Sequence, residues 1–242
     1  MPLAEGAEVD LPPGAARHVQ VLRLQPGSPV TLFDGRGGEW SAEVTHMGRQ
    51  SVQVRVGAHD PIARELPQPI TFALGVPANE RMDTLVEKAC ELGVAAIQPL
   101  MCERSVLRLQ GERATKKVAH WQAVAVAACE QSGRTVVPSI APVRGLPDWL
   151  ASLSALPAAG EPARVLLSLR EAGTLPVAVA VSGCVLLSGP EGGFSEAEES
   201  MARLRGFVPV SLGPRVLRAD TAPLALLAHL SLQQALTEQG TL

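Results

Sequence analysis

The sequence VLLSGPEGGFSEAE at residues 185–198 combines an apolar segment, a glycine-rich loop and the start of a helix. Its apolar residues 185–187 predict a buried strand. Ser195, with Glu198 three residues later, matches the capping-box pattern of a helix N-terminus. Open α/β sheets bind their ligands where the C-terminal end of a strand leads into the next helix. We therefore expect a ligand site at residues 188–194.

Outward from this stretch, residues 66–242 alternate between apolar strand-like segments and amphipathic helix-like segments. Met82, Leu85 and Ala89, for example, follow the helical period, and Gly93 stands where that helix would end. Such alternation predicts an α/β fold with a parallel sheet that is covered by helices on both faces. We expect strands at residues 70–76, 95–100, 165–168, 185–188 and 207–212, and helices at residues 82–92, 112–132 and 146–156, from Ser195, and from Asp220 or Thr221.

The first 65 residues differ, because they read as short strands separated by glycine-rich turns. Val52, Val54 and Val56 alternate with polar residues, which is typical of a half-buried strand. This pattern predicts a small β-barrel, with one short helix at residues 15–24. Prolines in residues 61–69 mark a boundary. We therefore divide the chain into a barrel domain, residues 1–65, and an α/β domain, residues 66–242.

The composition excludes several classes of protein. With 242 residues, 46% of them apolar, the chain is too hydrophobic to be disordered and long enough for one or two domains. Residues 1–6 do not resemble a secretory leader, and the most apolar stretch, residues 175–187, is too short to span a bilayer. The cysteines and histidines show no metal-ligand spacing, so we expect a cytoplasmic protein without metal or disulfides.

The loop at residues 188–194 departs from both common phosphate-binding patterns. It lacks the Lys-Ser/Thr of a P-loop and the GxGxxG spacing of a dinucleotide site, and Glu191 stands where a phosphate would lie. A cationic or zwitterionic ligand suits a loop that offers carbonyls and a carboxylate. A plain tight turn between strand and helix is the alternative.

Positive charge is concentrated locally, although the net charge of the chain is -3. Residues 104–117 carry several arginines and lysines against the single acid Glu112. Such a stripe can bind phosphates, and a solvated helix face is the alternative.

A set of motifs runs in order along nearly the whole chain. The most specific are GPEGG at residues 189–193 and LGPRVLR at residues 212–218, which Thr221 and Ala222 follow. The others are HVQVLR at 18–23 with Gly27 and FDG at 33–35, RMD at 81–83, EKACELGV at 87–94, ERSV at 103–106, and EQSGR at 130–134 with Val137 and Pro138. Together they resemble the RsmE family, which belongs to the SPOUT superfamily of knotted, S-adenosylmethionine-dependent RNA methyltransferases.

The resemblance implies a PUA-like β-barrel that binds ribosomal RNA, followed by a SPOUT α/β domain with a deep trefoil knot, an exception to the usual unknotted chain. It implies a homodimer that methylates N3 of uridine 1498 in 16S rRNA, on the assembled 30S subunit or on free rRNA. S-adenosylmethionine would bind in the knot, against Leu166, Leu167, Ser168, Ser188, Gly189, Pro190, Glu191, Gly192, Gly193, Leu212, Gly213, Leu217 and Arg218.

Methyl transfer to N3 of uracil requires the loss of the N3 proton, so the site should stabilise negative charge or remove that proton. We expect Arg218 to stabilise charge on the uracil carbonyl oxygens, and Glu191 or Asp220 to act as the base. The alternatives are an ion pair between Arg218 and Asp220, and a structural role for Glu191 in binding loop N–H groups.

RNA contact is expected on two surfaces. Arg17, His18, Arg23 and Arg36 belong to the barrel, and Arg104, Arg108, Lys116, Lys117 and Arg134 would line the approach to the knot. The sequence departs from the family at residues 1–6, which lack a basic-aromatic stretch, at Ala78 in place of a lysine, and at Asp220 in place of a glutamate. Another SPOUT enzyme, such as a ribose 2′-O-methyltransferase, and a non-catalytic RNA-binding protein of the same fold remain alternatives.

Overall fold

The computed structural model describes residues 3–49, 51–78, 81–170 and 172–239. These residues form two compact units. The first contains the chain up to Glu65 and, from much later in the sequence, Gly133–Val136. The second contains Leu66–Ser132 and the chain from Val137 onward. Within the described ranges, every helix is too short or too polar to cross a membrane.

A four-stranded antiparallel sheet and one helix make up the first unit. Its elements are β1 (Glu8–Asp10), α1 (Pro13–Val21), β2 (Pro29–Leu32), β3 (Glu39–Met47) and β4 (Val52–Asp60). The strands lie in the order β1-β4-β3-β2. Val52 and Val54 point inward, as their alternation predicts, and pack with Val44 and with Val19 of α1. The strand β1 was not predicted, because three residues are too few to show a period.

The segment Gly133–Val136 is tied to this unit by hydrogen bonds. The N–H of Gly37 donates to the carbonyl of Thr135 at 3.1 Å. The guanidinium of Arg134 forms an ion pair with Glu65, and its Nε donates to Oε1 at 3.1 Å. The side chain of Arg134 is only 4% exposed. The structure therefore gives Arg134 a buried partner within this unit, which does not favour the RNA contact that the sequence predicts for it.

The second unit contains a parallel sheet and the remaining helices. Its elements are β5 (Ile70–Gly75), α2 (Arg81–Glu91), β6 (Ala96–Met101), α3 (Gly111–Ser132), β7 (Ser139–Ile140), β8 (Arg144–Gly145), α4 (Leu146–Ala151), β9 (Ala163–Leu167), α5 (Ala178–Ser182), β10 (Cys184–Ser188), α6 (Glu196–Leu204), β11 (Val208–Val210) and α7 (Thr221–Gln239). The order is β11-β9-β10-β5-β6-β7, and β8 also pairs with β6. The predicted parallel α/β architecture is confirmed.

Helices cover both faces of this sheet. Phe72 and Leu74 of β5 pack on one face into the cluster that holds residues of α2, α3 and α7. Ala73, between them, points to the other face, into the cluster that holds residues of α4 and α6. Strands that are buried on both faces explain the continuous apolar runs. Full burial of a side chain such as Phe72 contributes about 1.5–3 kcal/mol.

Two helix boundaries follow from local chemistry. Gly93 has φ 94, and a Cβ atom there would lie 2.8 Å from Leu66, so glycine is required after α2. At the start of α6, the N–H of Glu198 donates to Ser195 Oγ at 3.3 Å, and the N–H of Ser195 donates to Glu198 Oε2 at 2.9 Å. The predicted capping box is thus confirmed.

Other expectations need correction. The helix predicted at residues 146–156 ends at Ala151, where the Ser152 hydroxyl donates to the carbonyl of Trp149 at 2.6 Å and the chain turns away. The short helix α5 was not predicted, because it lies between a proline and a glycine in a segment that reads as apolar throughout. Sheet order alone does not establish the trefoil knot, which stays a prediction.

Candidate active site

Three loops enclose a cleft of about 270 Å³ at the C-terminal edge of the parallel sheet. They follow β9, β10 and β11, the three strands at one side of the sheet. This is the edge at which parallel α/β sheets bind ligands. The cleft is lined by Arg104, Leu167, Ser168, Leu169, Arg170, Ser188, Gly189, Pro190, Glu191, Gly193, Phe194, Glu199, Val210, Leu212, Arg215, Val216, Leu217, Ala219 and Ala222.

The loop after β10 is a tight turn that packs closely on its surroundings. Gly193 has φ 66, and its N–H donates to the carbonyl of Pro190 at 2.8 Å. A Cβ atom on Gly193 would meet nothing within 4 Å, so here glycine serves the backbone conformation. At Gly189, a Cβ atom would lie 3.2 Å from the backbone of Gly193, so the turn has little room for a side chain.

Glu191 ties this loop to the segment before α2. Its Oε1 accepts the N–H of Ala78 at 2.9 Å and lies 3.8 Å from Nη1 of Arg81. The carboxylate also borders the cleft. These contacts correspond to the structural role that the sequence left open for Glu191.

The loop after β6 is fixed against the same turn. The buried carboxylate of Glu198 accepts the N–H of Glu103 at 2.8 Å, in addition to its bond within the capping box. Nη1 of Arg104 donates to the carbonyl of Gly192 at 3.0 Å. Arg104 therefore borders the cleft while its guanidinium holds the glycine-rich loop.

The loop after β11 leads into the first turn of α7. The carbonyl of Arg218 accepts the N–H groups of Thr221 and Ala222, both at 3.0 Å. Oδ1 of Asp220 accepts the N–H of Thr221 at 3.0 Å. Among the described residues, the side-chain contacts of Asp220 are with Thr221 and not with Arg218, and the Arg218 side chain is exposed. Arg218 is thus available to a ligand, although neither it nor Asp220 lines the cleft.

Ser168, in the loop after β9, contacts a carboxylate of α6 at the wall of the cleft. The Ser168 hydroxyl lies 3.1 Å from both carboxylate oxygens of Glu199 and accepts the N–H of Arg170 at 3.0 Å. Nη2 of Arg203 lies 3.9 Å from Glu199 Oε2. The sequence did not single out Glu199. The available signal was its position four residues after the N-cap residue Ser195. On a helix this spacing puts the two side chains on the same face, close to the glycine-rich loop that precedes α6.

Most of the predicted cofactor-binding residues meet at the cleft. The exceptions are Leu166, which is buried under α4 and α6, Gly192, which contacts Arg104, and Gly213 and Arg218 in the third loop. The residues that do line it are Leu167, Ser168, Ser188, Gly189, Pro190, Glu191, Gly193, Leu212 and Leu217.

The remaining RNA-contact candidates differ in how free their charges are. Arg17, His18, Arg23 and Arg36 are exposed in the first unit. In the second unit, Arg108 donates to the carbonyls of Cys102 and Glu103, and Lys116 lies 3.6 Å from Glu112. Lys117 is half-buried.

Two buried thiols near the sheet are not nucleophiles. Burial raises the pKa of Cys102 to about 12, with the Glu198 carboxylate adding to the effect, and burial alone raises the pKa of Cys184 to about 12. Both stay protonated near neutral pH, so thiolate chemistry is excluded at these positions. In the part of the chain that the structure describes, no group of three or more His, Cys, Asp or Glu side chains could hold a metal ion.

Comparisons with known proteins agree with this architecture. The sequence model of the RNA methyltransferase domain matches residues 64–231, and that of the RNA methyltransferase PUA domain matches residues 11–57. The chain is 34% identical to the ribosomal RNA small subunit methyltransferase E of Synechocystis sp., over 93% of this chain and 73% of that protein. It is 30% identical to that of Bacillus subtilis, over 90% of this chain and 87% of that protein.

A solved structure is also similar. The ribosomal RNA small subunit methyltransferase E of Neisseria gonorrhoeae, crystallised bound to S-adenosyl methionine, superposes with a TM-score of 0.86. Its sequence is 38% identical, and the match covers 95% of this chain and 93% of that one. The first unit is therefore PUA-like, and the chain belongs to the ribosomal RNA small subunit methyltransferase E family.

Proposed function

We propose that this protein uses S-adenosylmethionine to methylate N3 of uridine 1498 in 16S rRNA, as a homodimer that acts on the assembled 30S subunit. The observation that carries the proposal is the cleft formed by three loops at the edge of the parallel sheet, in a chain of this family. A relative that is 38% identical was crystallised with the same cofactor.

The cleft residues fit this cofactor. The volume of the cleft, about 270 Å³, is close to the lower end of the range for small-molecule sites, about 300 Å³. Leu167, Leu212 and Leu217 offer apolar walls for an adenine ring, and the turn at residues 189–193 offers main-chain groups at close approach. When bound, the cofactor would supply the methyl group as an electrophile.

Several arginines and exposed apolar side chains that line the cleft, called its rim below, fit contacts with RNA and with a second copy of the chain. Arg104, Arg170 and Arg215 line it, and their positive charge fits the RNA backbone although the chain as a whole is acidic. Leu169 and Val216, also on the rim, are 63% and 79% exposed. Apolar side chains of this size would gain by being covered in a homodimer.

Residues of the loop after β11 would activate the uracil for methyl transfer. Arg218 carries an exposed guanidinium that can stabilise negative charge on the uracil carbonyl oxygens. Of the two candidate bases, Asp220 is favoured, because among the described residues its carboxylate is engaged by the adjacent Thr221 alone. Glu191 is engaged by Ala78 and Arg81 and would instead hold the loop in place.

The test is a methylation assay with purified protein, labelled S-adenosylmethionine and 30S subunits from cells that lack the modification, with free 16S rRNA in parallel. We expect label on the subunits, at N3 of a single uridine when the digested RNA is analysed by mass spectrometry. A ribose 2′-O product would support another SPOUT activity. Failure to bind the cofactor in calorimetry would overturn the enzymatic function altogether.

A further inference from the structure

One carboxylate in the cleft has no part in the function described so far. Glu199 lies on α6, its side chain is only 12% exposed, and it lines the cleft. Within the ranges that the structure describes, its hydrogen-bond partner is the hydroxyl of Ser168, which lies 3.1 Å from each oxygen. A hydroxyl has one proton to donate, so it satisfies only one of the roughly four acceptor positions of a carboxylate.

In the described part of the chain, the nearby cationic groups form their hydrogen bonds with other partners than Glu199. Nη2 of Arg203 is 3.9 Å from Glu199, which is beyond hydrogen-bond distance, and it donates to the carbonyl of Arg170 at 3.1 Å. The guanidinium of Arg170 pairs with Glu196 at 3.3 Å, and that of Arg104 donates to Gly192. Glu199 therefore keeps negative charge and free acceptor capacity at the wall of a largely apolar cleft.

A buried carboxylate with unused acceptors is costly unless a donor reaches it. The cleft is where a further donor can approach, because Glu199 lines it while Ser168 and Arg203 already contact the carboxylate. A cationic donor fits best, because it adds charge neutralisation to the hydrogen bond, and charge-assisted hydrogen bonds are about twice as strong as neutral ones.

We infer that Glu199 binds the α-ammonium group at the amino-acid end of S-adenosylmethionine, and that Ser168 orients the Glu199 carboxylate for this contact. The inference rests on the proposed function, since it assigns a part of the same site. It gives Glu199 a role in affinity for the amino-acid end, distinct from the role of the leucines and main chain that surround the adenine.

The experiment compares three ligands in calorimetry: S-adenosylmethionine, S-adenosylhomocysteine, and 5′-methylthioadenosine, which lacks the amino-acid end. For Glu199→Gln we expect the affinity for the first two to fall about tenfold or more, the range for loss of a charged hydrogen bond. The affinity for 5′-methylthioadenosine should stay within about twofold of the wild-type value. Ser168→Ala should give the same selective pattern with a smaller loss.

Glu196→Gln is the matched control. It removes the same charge from the first turn of the same helix and breaks a pair with Arg170 of the same loop, but Glu196 is 87% exposed and does not line the cleft. We expect it to bind all three ligands like the wild type, and thermal unfolding will show that each variant is folded.

Three results would overturn the inference. The first is an unchanged affinity of Glu199→Gln for S-adenosylmethionine. The second is an equal loss of affinity of Glu199→Gln for all three ligands, which would place the nucleoside at Glu199. The third is a loss of affinity in Glu196→Gln that equals the loss in Glu199→Gln. If the wild-type protein binds none of the ligands, the proposed function fails instead, so the two failures can be told apart.

Discussion

Pro190 lies directly over Gly75: a Cβ atom on Gly75 would stand 2.5 Å from Cδ of Pro190 and 2.6 Å from its nitrogen. The same position is 3.0 Å from Sγ of Cys102, so an added carbon has no free direction. Gly75 ends β5, and Pro190 belongs to the loop after β10, its neighbour in the sheet. The glycine-rich loop thus rests on the sheet at a distance that leaves no room for a side chain.

Gly75→Ala is therefore expected to displace the loop at residues 188–193. The fold should lose about 1–3 kcal/mol, as is typical of overpacking, and the affinity for S-adenosylmethionine should fall about tenfold or more because the cleft loses its shape. Urea denaturation and calorimetry measure the two effects. Gly14→Ala is the control, since a Cβ there meets nothing within 4 Å. An unchanged cofactor affinity in Gly75→Ala would contradict the role of this contact.

Substitutions of Glu191 can decide whether this residue supports the loop structurally or acts as the general base. Glu191→Gln keeps an oxygen that can accept the N–H of Ala78, so we expect turnover within about fivefold of the wild type, whereas loss of a general base costs about 10²–10⁴-fold. Glu191→Ala removes the acceptor and should weaken cofactor binding. Single-turnover methylation and calorimetry separate the two readouts. A turnover loss above about 10²-fold in Glu191→Gln, with cofactor binding intact, would make Glu191 the base.

Arg218 and Asp220 should affect chemistry without affecting the cofactor. Neither lines the cleft, so Arg218→Ala and Asp220→Asn are expected to bind S-adenosylmethionine normally. Their turnover should fall about 10²-fold or more, through lost charge stabilisation and lost proton removal respectively. Arg55→Ala is the control for a general loss of positive charge, since Arg55 is exposed and does not line the cleft. Near-normal turnover in Arg218→Ala would remove it from the mechanism.

The sequence predicts the site well where short-range patterns determine it. Ser195 and Glu198 specify the start of α6, and the apolar runs specify β9 and β10, so the ends of these strands and the loops after them could be located. Glu199 was missed because a third acid in an acidic first turn reads as a solvated side chain. The ion pair of Arg134 was missed because its partner, Glu65, lies 69 residues away in the chain, and no local pattern reveals a pairing over that distance.

Substitutions of Arg134 and Arg36 should have different effects, the first on the stability of the fold and the second on the affinity for RNA. Arg134→Ala leaves Glu65 unpaired and should destabilise the protein by about 1–3 kcal/mol. In contrast, Arg36→Ala removes an exposed charge, so it should leave stability unchanged and weaken binding to small-subunit rRNA. Titrations between about 50 and about 200 mM salt measure this, and the salt dependence should be shallower in Arg36→Ala alone. A wild-type affinity that does not respond to salt would exclude Arg36 as a phosphate contact.

The buried thiols of Cys102 and Cys184 predict a loss of stability at alkaline pH. Burial raises their pKa values to about 12 from an ordinary value of 9.0, so the folded protein retains protons that the unfolded chain releases between these two pH values. The free energy of unfolding must then fall as the pH rises from about 9 towards 12. Between about pH 9 and about pH 10, each thiol should lower it by about 1 kcal/mol. The chain has no tyrosine to titrate in the same range. Urea denaturation at about pH 8 and about pH 10 measures the slope, which should be smaller in Cys184→Ala. An equal slope in that variant would show that other groups cause the loss.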